Sequence, residues 1–207
     1  MILEWVKPNM EVSKNLCIIG SSDNVIDKGF GKEIDAFDEV VRFNRAPVVG
    51  WEEHVGSKTT IRGSNGHVFG NKKPDLTRFT KAGQDQHFIA KQKNQSHLLI
   101  SPNPEREFRN GERQMHKTCK AFHIFPKFYW KTKKDLDFGN NPTVGFQFIY
   151  LCLCNGIIPH LYGFGMNEGG NSSHYWEKRD LKASHNMKFE RNILKKWNEE
   201  GKIVIHL

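Results

Sequence analysis

Apolar positions along this chain fall into short runs divided by turn-forming residues, and the runs alternate between strand-like and helix-like spacing. Leu16-Cys17-Ile18-Ile19-Gly20 is a continuous apolar run entering a Ser/Asp/Asn turn, which predicts a buried strand. Gly31 to Phe37 has the spacing of a short helix, and Glu39 to Phe43 reads as a second strand. Thr59-Thr60-Ile61-Arg62 predicts a third strand. His97-Leu98-Leu99-Ile100, stopped by Ser101-Pro102, predicts a fourth, and Ala121 to Phe125 a fifth. Residues 72–93 are polar and aperiodic and read as a loop.

Asn141-Pro142 has the composition of a helix start, with Asn as the cap and Pro at the first helical position. The helix that follows is apolar on most sides and ends at Gly156, so burial is expected. His160-Leu161-Tyr162 follows as a strand. Phe189, Ile193, Leu194 and Trp197 share one face of a helix that stops at Gly201, and Ile203-Val204-Ile205 closes with a strand. Strands alternating with helices predict an α/β fold with parallel pairs, whose ligands bind beyond the carboxyl ends of the strands. The loops after Gly20, Phe43 and Gly165 would lie there.

Composition narrows the class. The length of 207 residues fits one domain over 1–207, and 37% apolar content with fifteen Phe and five Trp marks it as globular. The longest apolar stretch, Val144 to Cys154, is interrupted by Gln147 and is too short to span a bilayer. The first residues lack the apolar core of a signal peptide, so a soluble chain is expected. The four cysteines form no CxxC pair, which argues against a structural zinc site and for reduced thiols. Of the net charge of +8, a surplus of six sits between Ser101 and Lys134, where nine basic residues face three acids. Such a patch attracts anions without choosing among them.

Candidate chemistry concentrates near the end. Tyr162-Gly163-Phe164-Gly165 leads to His174-Tyr175-Trp176-Glu177, then to His185 and Glu190. Histidine is the side chain best suited to moving protons near neutral pH, yet two histidines alone are also what a solvated loop would carry. Asp135-Leu136-Asp137 fits a metal-binding DxD pattern, but it follows Lys131, Lys133 and Lys134 and no apolar strand, so it reads as a solvated turn. Phe125, Phe128, Tyr129 and Trp130 beside the basic segment would suit single-strand stacking, or else a core.

Longer runs discriminate better. Cys17 to Ser22, Gly31 to Asp35, Asp38 with Val41 to Pro47, and Val55 to Thr60 resemble the large sialylmotif of the eukaryotic-type sialyltransferases, glycosyltransferase family 29. Pro142-Thr143-Val144-Gly145, followed without gaps to Gly165, resembles the small motif. His174-Tyr175-Trp176-Glu177 resembles the third motif, and His185 with Glu190 the very small one. The resemblance implies a Rossmann-like α/β/α sandwich, a GT-A-type variant. It implies transfer, with inversion, of a sialic acid or a related keto-sugar acid such as Kdo, from its CMP-activated donor to a glycan hydroxyl.

In that reading His185 matches the general base and His174 the histidine on the leaving phosphate. Asn44 matches a CMP-contacting asparagine, and Gly145 and Gly165 match backbone positions lining the nucleotide. Ser21, Ser22, Asn141, Thr143 and Tyr175 complete the implied substrate-binding set. No metal or other cofactor is expected, the CMP-sugar being a substrate. The partners implied are that acidic sugar and a glycan acceptor, which the basic segment suggests is anionic or membrane-associated; nucleic acid is not expected. Arg42 reads equally as a ligand for the donor carboxylate or as half of a structural ion pair.

The chain departs from the family pattern in three places. Ser21 replaces an asparagine, Thr143-Val144 replaces Ser-Thr, and Leu16 and Gly156 occupy the positions of the family's disulfide. The lost disulfide suggests the cytoplasm or the inner membrane leaflet, with a Golgi membrane expected only if an anchor precedes the chain. The runner-up readings are a catalytically degenerate nucleotide-binding homologue and, behind it, a basic nucleic-acid-binding module.

Overall fold

The computed structural model describes residues 12–44, 46–64, 96–100, 120–124, 126–166, 174–177 and 185–207. Residues 72–93 and Phe125 lie outside them. Among the described residues, β1 (Leu16–Ile19), β2 (Glu39–Phe43), β3 (Ile61–Ser64), β4 (Ser96–Ile100), β5 (Lys120–Ile124), β6 (His160–Tyr162) and β7 (Val204–Ile205) form one sheet in the order β5-β4-β3-β2-β1-β6-β7. Every pair in it is parallel. The helices are α1 (Gly31–Asp35), α2 (Glu52–Val55), α3 (Pro126–Asp135), α4 (Val144–Cys154) and α5 (Met187–Glu199).

The order explains the layers. Parallel crossovers are right-handed in nearly all proteins, so reversing the direction of travel along the sheet moves the connecting helix to the other face. From β1 to β5 the chain moves one way, and α1 and α2 pack through Ile34 and Val55 against Cys17, Ile19, Val40 and Tyr162. From β5 it jumps back to β6 beside β1. On that return α3 and α4, and beyond β6 α5, cover Leu16, Ile18, Val41, Phe43, Ile61 and Leu161 with Phe128, Phe146, Ile149, Leu194 and Trp197. The result is the α/β/α sandwich expected, with its switch point between β1 and β6, where the loops diverge and ligands of such sheets bind.

Helix ends follow local rules. α4 stops at Gly156 and α5 at Gly201, each at φ +67. The amide of Ile157 returns to the Cys152 carbonyl at 3.0 Å and that of Lys202 to the Trp197 carbonyl at 2.9 Å, the pattern of a glycine-terminated helix.

Four expectations need correction. The cap of α4 is Thr143, two residues beyond Asn141: its Oγ1 accepts the Phe146 amide at 3.1 Å. The third strand begins at Ile61 rather than Thr59, because Thr60 Oγ1 takes the Val40 amide and Thr59 Oγ1 the Arg42 Nε, both at 2.9 Å. α2 and α3 were not foreseen. Finally, Arg42 is closed off from any donor carboxylate and, among the described residues, is not half of an ion pair. It is fully buried, and its Nη2 donates to the carbonyls of Val55, Gly56 and Lys58 at 2.6, 3.1 and 2.9 Å. The cation staples β2 to the α2–β3 loop through neutral acceptors. Cys17 and Cys154 are free thiols in cores on opposite faces of the sheet.

Candidate active site

The loops after β1 and β6 are pressed together backbone to backbone. The Gly20 amide donates to Tyr162 O at 2.7 Å and the Ser22 amide to Gly163 O at 2.9 Å, extending the β1–β6 pairing past the strands. Ser22 caps the turn at Asp23–Val25, and Asn24 Oδ1 accepts the Gly165 amide at 3.3 Å. Gly165 sits at φ +59, which favours glycine, and a Cβ there would stand 2.8 Å from Ser22 Oγ.

On this platform sits the segment 174–177. His174 forms an antiparallel bridge with Ser22, and the Tyr175 amide donates to Ser21 O at 2.9 Å. His174 Nδ1 lies 2.9 Å from Glu177 Oε1, an ion pair when the imidazole is protonated. The Trp176 ring stacks on the imidazole at 4.4 Å and 18°. Tyr175, predicted to bind substrate, instead turns inward. It is buried, its hydroxyl donates to Pro47 O, and burial pushes its phenol up to about 12. Its structural duty is to anchor the turn that presents His174.

Asn44 ends β2 in the left-handed region at φ +49, which asparagine tolerates better than most residues. Its amide donates to Gly63 O at 2.7 Å, and its carbonyl accepts Arg62 Nη1 at 3.0 Å. Arg62 is itself buried, which pulls its guanidinium down to about 10, with Arg42 pushing the same way. Gly145 packs where a Cβ would meet the Phe164 and Phe43 rings at 3.4 Å. That contact brings the start of α4 to the loops after β2 and β6.

The second histidine is held from that side. His185 is exposed, one residue before the Asn186 cap of α5, and its Nδ1 lies 2.7 Å from the Asn141 carbonyl. A carbonyl only accepts, so Nδ1 carries a proton, and whenever the ring is neutral its lone pair lies on Nε2. Asn141 Oδ1 in turn accepts the Tyr129 hydroxyl at 2.6 Å. Glu190 is buried and receives both the Thr143 amide, at 2.6 Å on Oε1, and the Thr143 hydroxyl, at 2.7 Å on Oε2. Glu190 therefore joins α5 to the start of α4.

Burial raises the Glu190 carboxyl from its ordinary 4.5 to about 7, outweighing the two bonds from Thr143. The folded chain thus holds this proton where the unfolded chain has released it. Stability from this group is present below about pH 4.5, falls as pH rises to about 7, and is level above. Melting temperatures across that window should decline more steeply in the wild type than in Glu190→Gln. Parallel profiles would remove Glu190 as the source.

The structure thus joins Ser21, Ser22, Gly165 and His174 in one cluster and Asn141, Thr143 and His185 in another, linked through Gly145, Phe164 and Phe43. Tyr129, Glu177 and Arg62 were missed as site supports. Of these only Glu177 carried a sequence signal, its place in the third motif. Asp135 of the acidic pair has its carboxylate occupied by Lys131 and by Tyr150, whose hydroxyl lies at 2.7 Å.

A family model described as glycosyltransferase family 29 (sialyltransferase) matches residues 3–202. A CMP-N-acetylneuraminate-beta-galactosamide-alpha-2,3-sialyltransferase 2 of Mus musculus is 25% identical over 93% of this chain and 57% of its own length. A beta-galactoside alpha-2,6-sialyltransferase 2 of Takifugu rubripes is 26% identical over 93% of this chain and 39% of its own. The chain therefore spans about half the length of such relatives. A crystal structure of a mammalian sialyltransferase superposes with a TM-score of 0.69 at 25% identity, covering 92% of this chain and 68% of the other. A second, in complex with Gal-beta-1-3GalNAc-ortho-nitrophenol, gives 0.67 at 24% identity, again covering 92% and 68%.

Proposed function

Because the chain belongs to glycosyltransferase family 29, we propose that it transfers a sialic acid from a CMP-activated donor to a hydroxyl of a glycan, with inversion and without a metal ion. The observation that carries this reading is the His185–Asn141 bond. It commits Nδ1 as a donor and leaves Nε2 as the proton acceptor, the form a general base needs. As the acceptor oxygen attacks the anomeric carbon, its proton passes to Nε2. The bond from that carbon to the phosphate oxygen breaks, and CMP leaves with the electron pair.

The leaving phosphate gains charge in that step. His174, braced by Glu177 and Trp176, together with main-chain donors after Gly20 and at the start of α4, supplies stabilisation at the switch point. Lys131 and Tyr150 on Asp135 support the metal-independent reading, since that acid of the pair is already engaged within the fold.

Incubation with CMP-sialic acid and galactose-terminated glycans, read by CMP release and product mass, tests the proposal; EDTA should leave the rate unchanged. No product from any galactose-terminated acceptor, with CMP-Kdo active instead, would reassign the donor.

The acceptor side follows from α3. Lys133 lies over the exposed Trp130 ring at 5.7 Å, and Lys134 is exposed beside it. We place an anionic acceptor against this helix. Lys133→Glu with Lys134→Glu should raise the acceptor KM several-fold and leave the donor KM unchanged; an unchanged acceptor KM would discard the placement.

A further inference from the structure

Tyr129 is not part of any motif that marks the site, yet it sits one hydrogen bond from the residue that holds His185. It lies on α3 and is 4% exposed, with its hydroxyl 2.6 Å from Asn141 Oδ1. Asn141 precedes Pro142, which restricts its backbone to extended conformations. One residue beyond Pro142, Thr143 is fixed by Glu190 through two bonds. The stretch 141–143 is therefore clamped at its far end by α5 and at its near end by α3. Its one carbonyl directed at His185 belongs to the near end.

We propose that Tyr129 is a positioning residue for the base: by holding the Asn141 side chain it sets the direction of the Asn141 carbonyl, and so the tautomer and orientation of His185. This rests on the reading of His185 as the base. The Tyr129 hydroxyl is well placed for the task, because burial raises its phenol and keeps it a donor throughout the neutral range. The aromatic ring packs beside Trp130, edge to face at 5.1 Å, so removing the oxygen alone leaves the packing in place. The Tyr129 hydroxyl acts on His185 only through Asn141, so the effect should fall chiefly on turnover.

The test is Tyr129→Phe, read by two measurements. Long-range proton–nitrogen spectra of histidine-labelled protein, with the His185 signals assigned by His185→Ala, report the tautomer directly. The wild type should show His185 protonated on Nδ1, and Tyr129→Phe should show a mixture of both tautomers. Its kcat should fall about 10-fold, as for one misplaced catalytic group, with the donor KM within about two-fold. Asn141→Ala, which deletes the acceptor from the other side, should shift the tautomer in the same way, and serves if Tyr129→Phe folds poorly. A His185 that stays wholly on Nδ1 in both variants overturns the proposal. A tautomer shift with undiminished kcat would instead keep Tyr129 as the positioner and remove His185 as the base.

Discussion

His185→Ala should abolish transfer for practical purposes, lowering kcat by about 10²- to 10⁴-fold while the donor KM stays near the wild-type value. The expectation follows from geometry: Nδ1 is spent on the Asn141 carbonyl, so Nε2 is the nitrogen offered to an acceptor hydroxyl. His185 is exposed, so the variant should melt within a degree or so of the wild type, as surface substitutions do. His174→Ala should behave differently. That imidazole stands on the Ser22 platform and is braced by Glu177, so its loss should weaken donor binding as well as turnover. Steady-state kinetics with CMP release as the readout separates the two. Full activity in His185→Ala would end its assignment as the base, and identical kinetic signatures would end the division of labour.

Gly20→Ala should cost roughly 3 kcal/mol or more, with a fall in Tm of about 6–12 °C for a chain of this size. A Cβ at Gly20 would stand 2.2 Å from the Gly163 carbonyl oxygen and 2.7 Å from its carbon. Both are backbone atoms, tied by the Gly20–Tyr162 and Ser22–Gly163 hydrogen bonds, so no side-chain rotation can relieve the overlap. The β1 and β6 loops would have to separate, and with them the platform under His174. Activity should therefore drop along with stability. Thermal unfolding checks it: a Tm within two or three degrees of wild type would show that the loops part easily and that the close approach is not structural.

Where the sequence was legible, the signal was local. The glycines at 156 and 201 end their helices because a left-handed residue closes the last carbonyls, and that rule needs no tertiary context. β1, β2 and β6 were readable as apolar runs because both faces of a parallel sheet are covered. α3 was not. Among its described side chains the buried ones are Phe128, Tyr129 and Thr132, and Thr132 hides its hydroxyl by donating to the Phe128 carbonyl at 3.0 Å. A polar residue in the apolar stripe, surrounded by lysines, erased the helical period. Arg42 failed for a related reason: a buried cation whose Nη2 is held by three carbonyls has, among the described residues, no ion-pair partner to betray it in the sequence.

By itself the sequence determined the alternation of strands and helices, the family and the residue types available for proton transfer. The order β5-β4-β3-β2-β1-β6-β7 was left to the tertiary structure, and with it the switch point that brings the loops after β1 and β6 together. So were the ties that orient the second histidine. His185 meets the Asn141 carbonyl 44 positions away, and Glu190 meets Thr143 47 positions away. Periodicity and capping rules reach only a few residues along the chain, so contacts at such separations leave no trace in the pattern of apolar and polar positions. They exist only once the packing of α3, α4 and α5 on one face of the sheet has closed the distance.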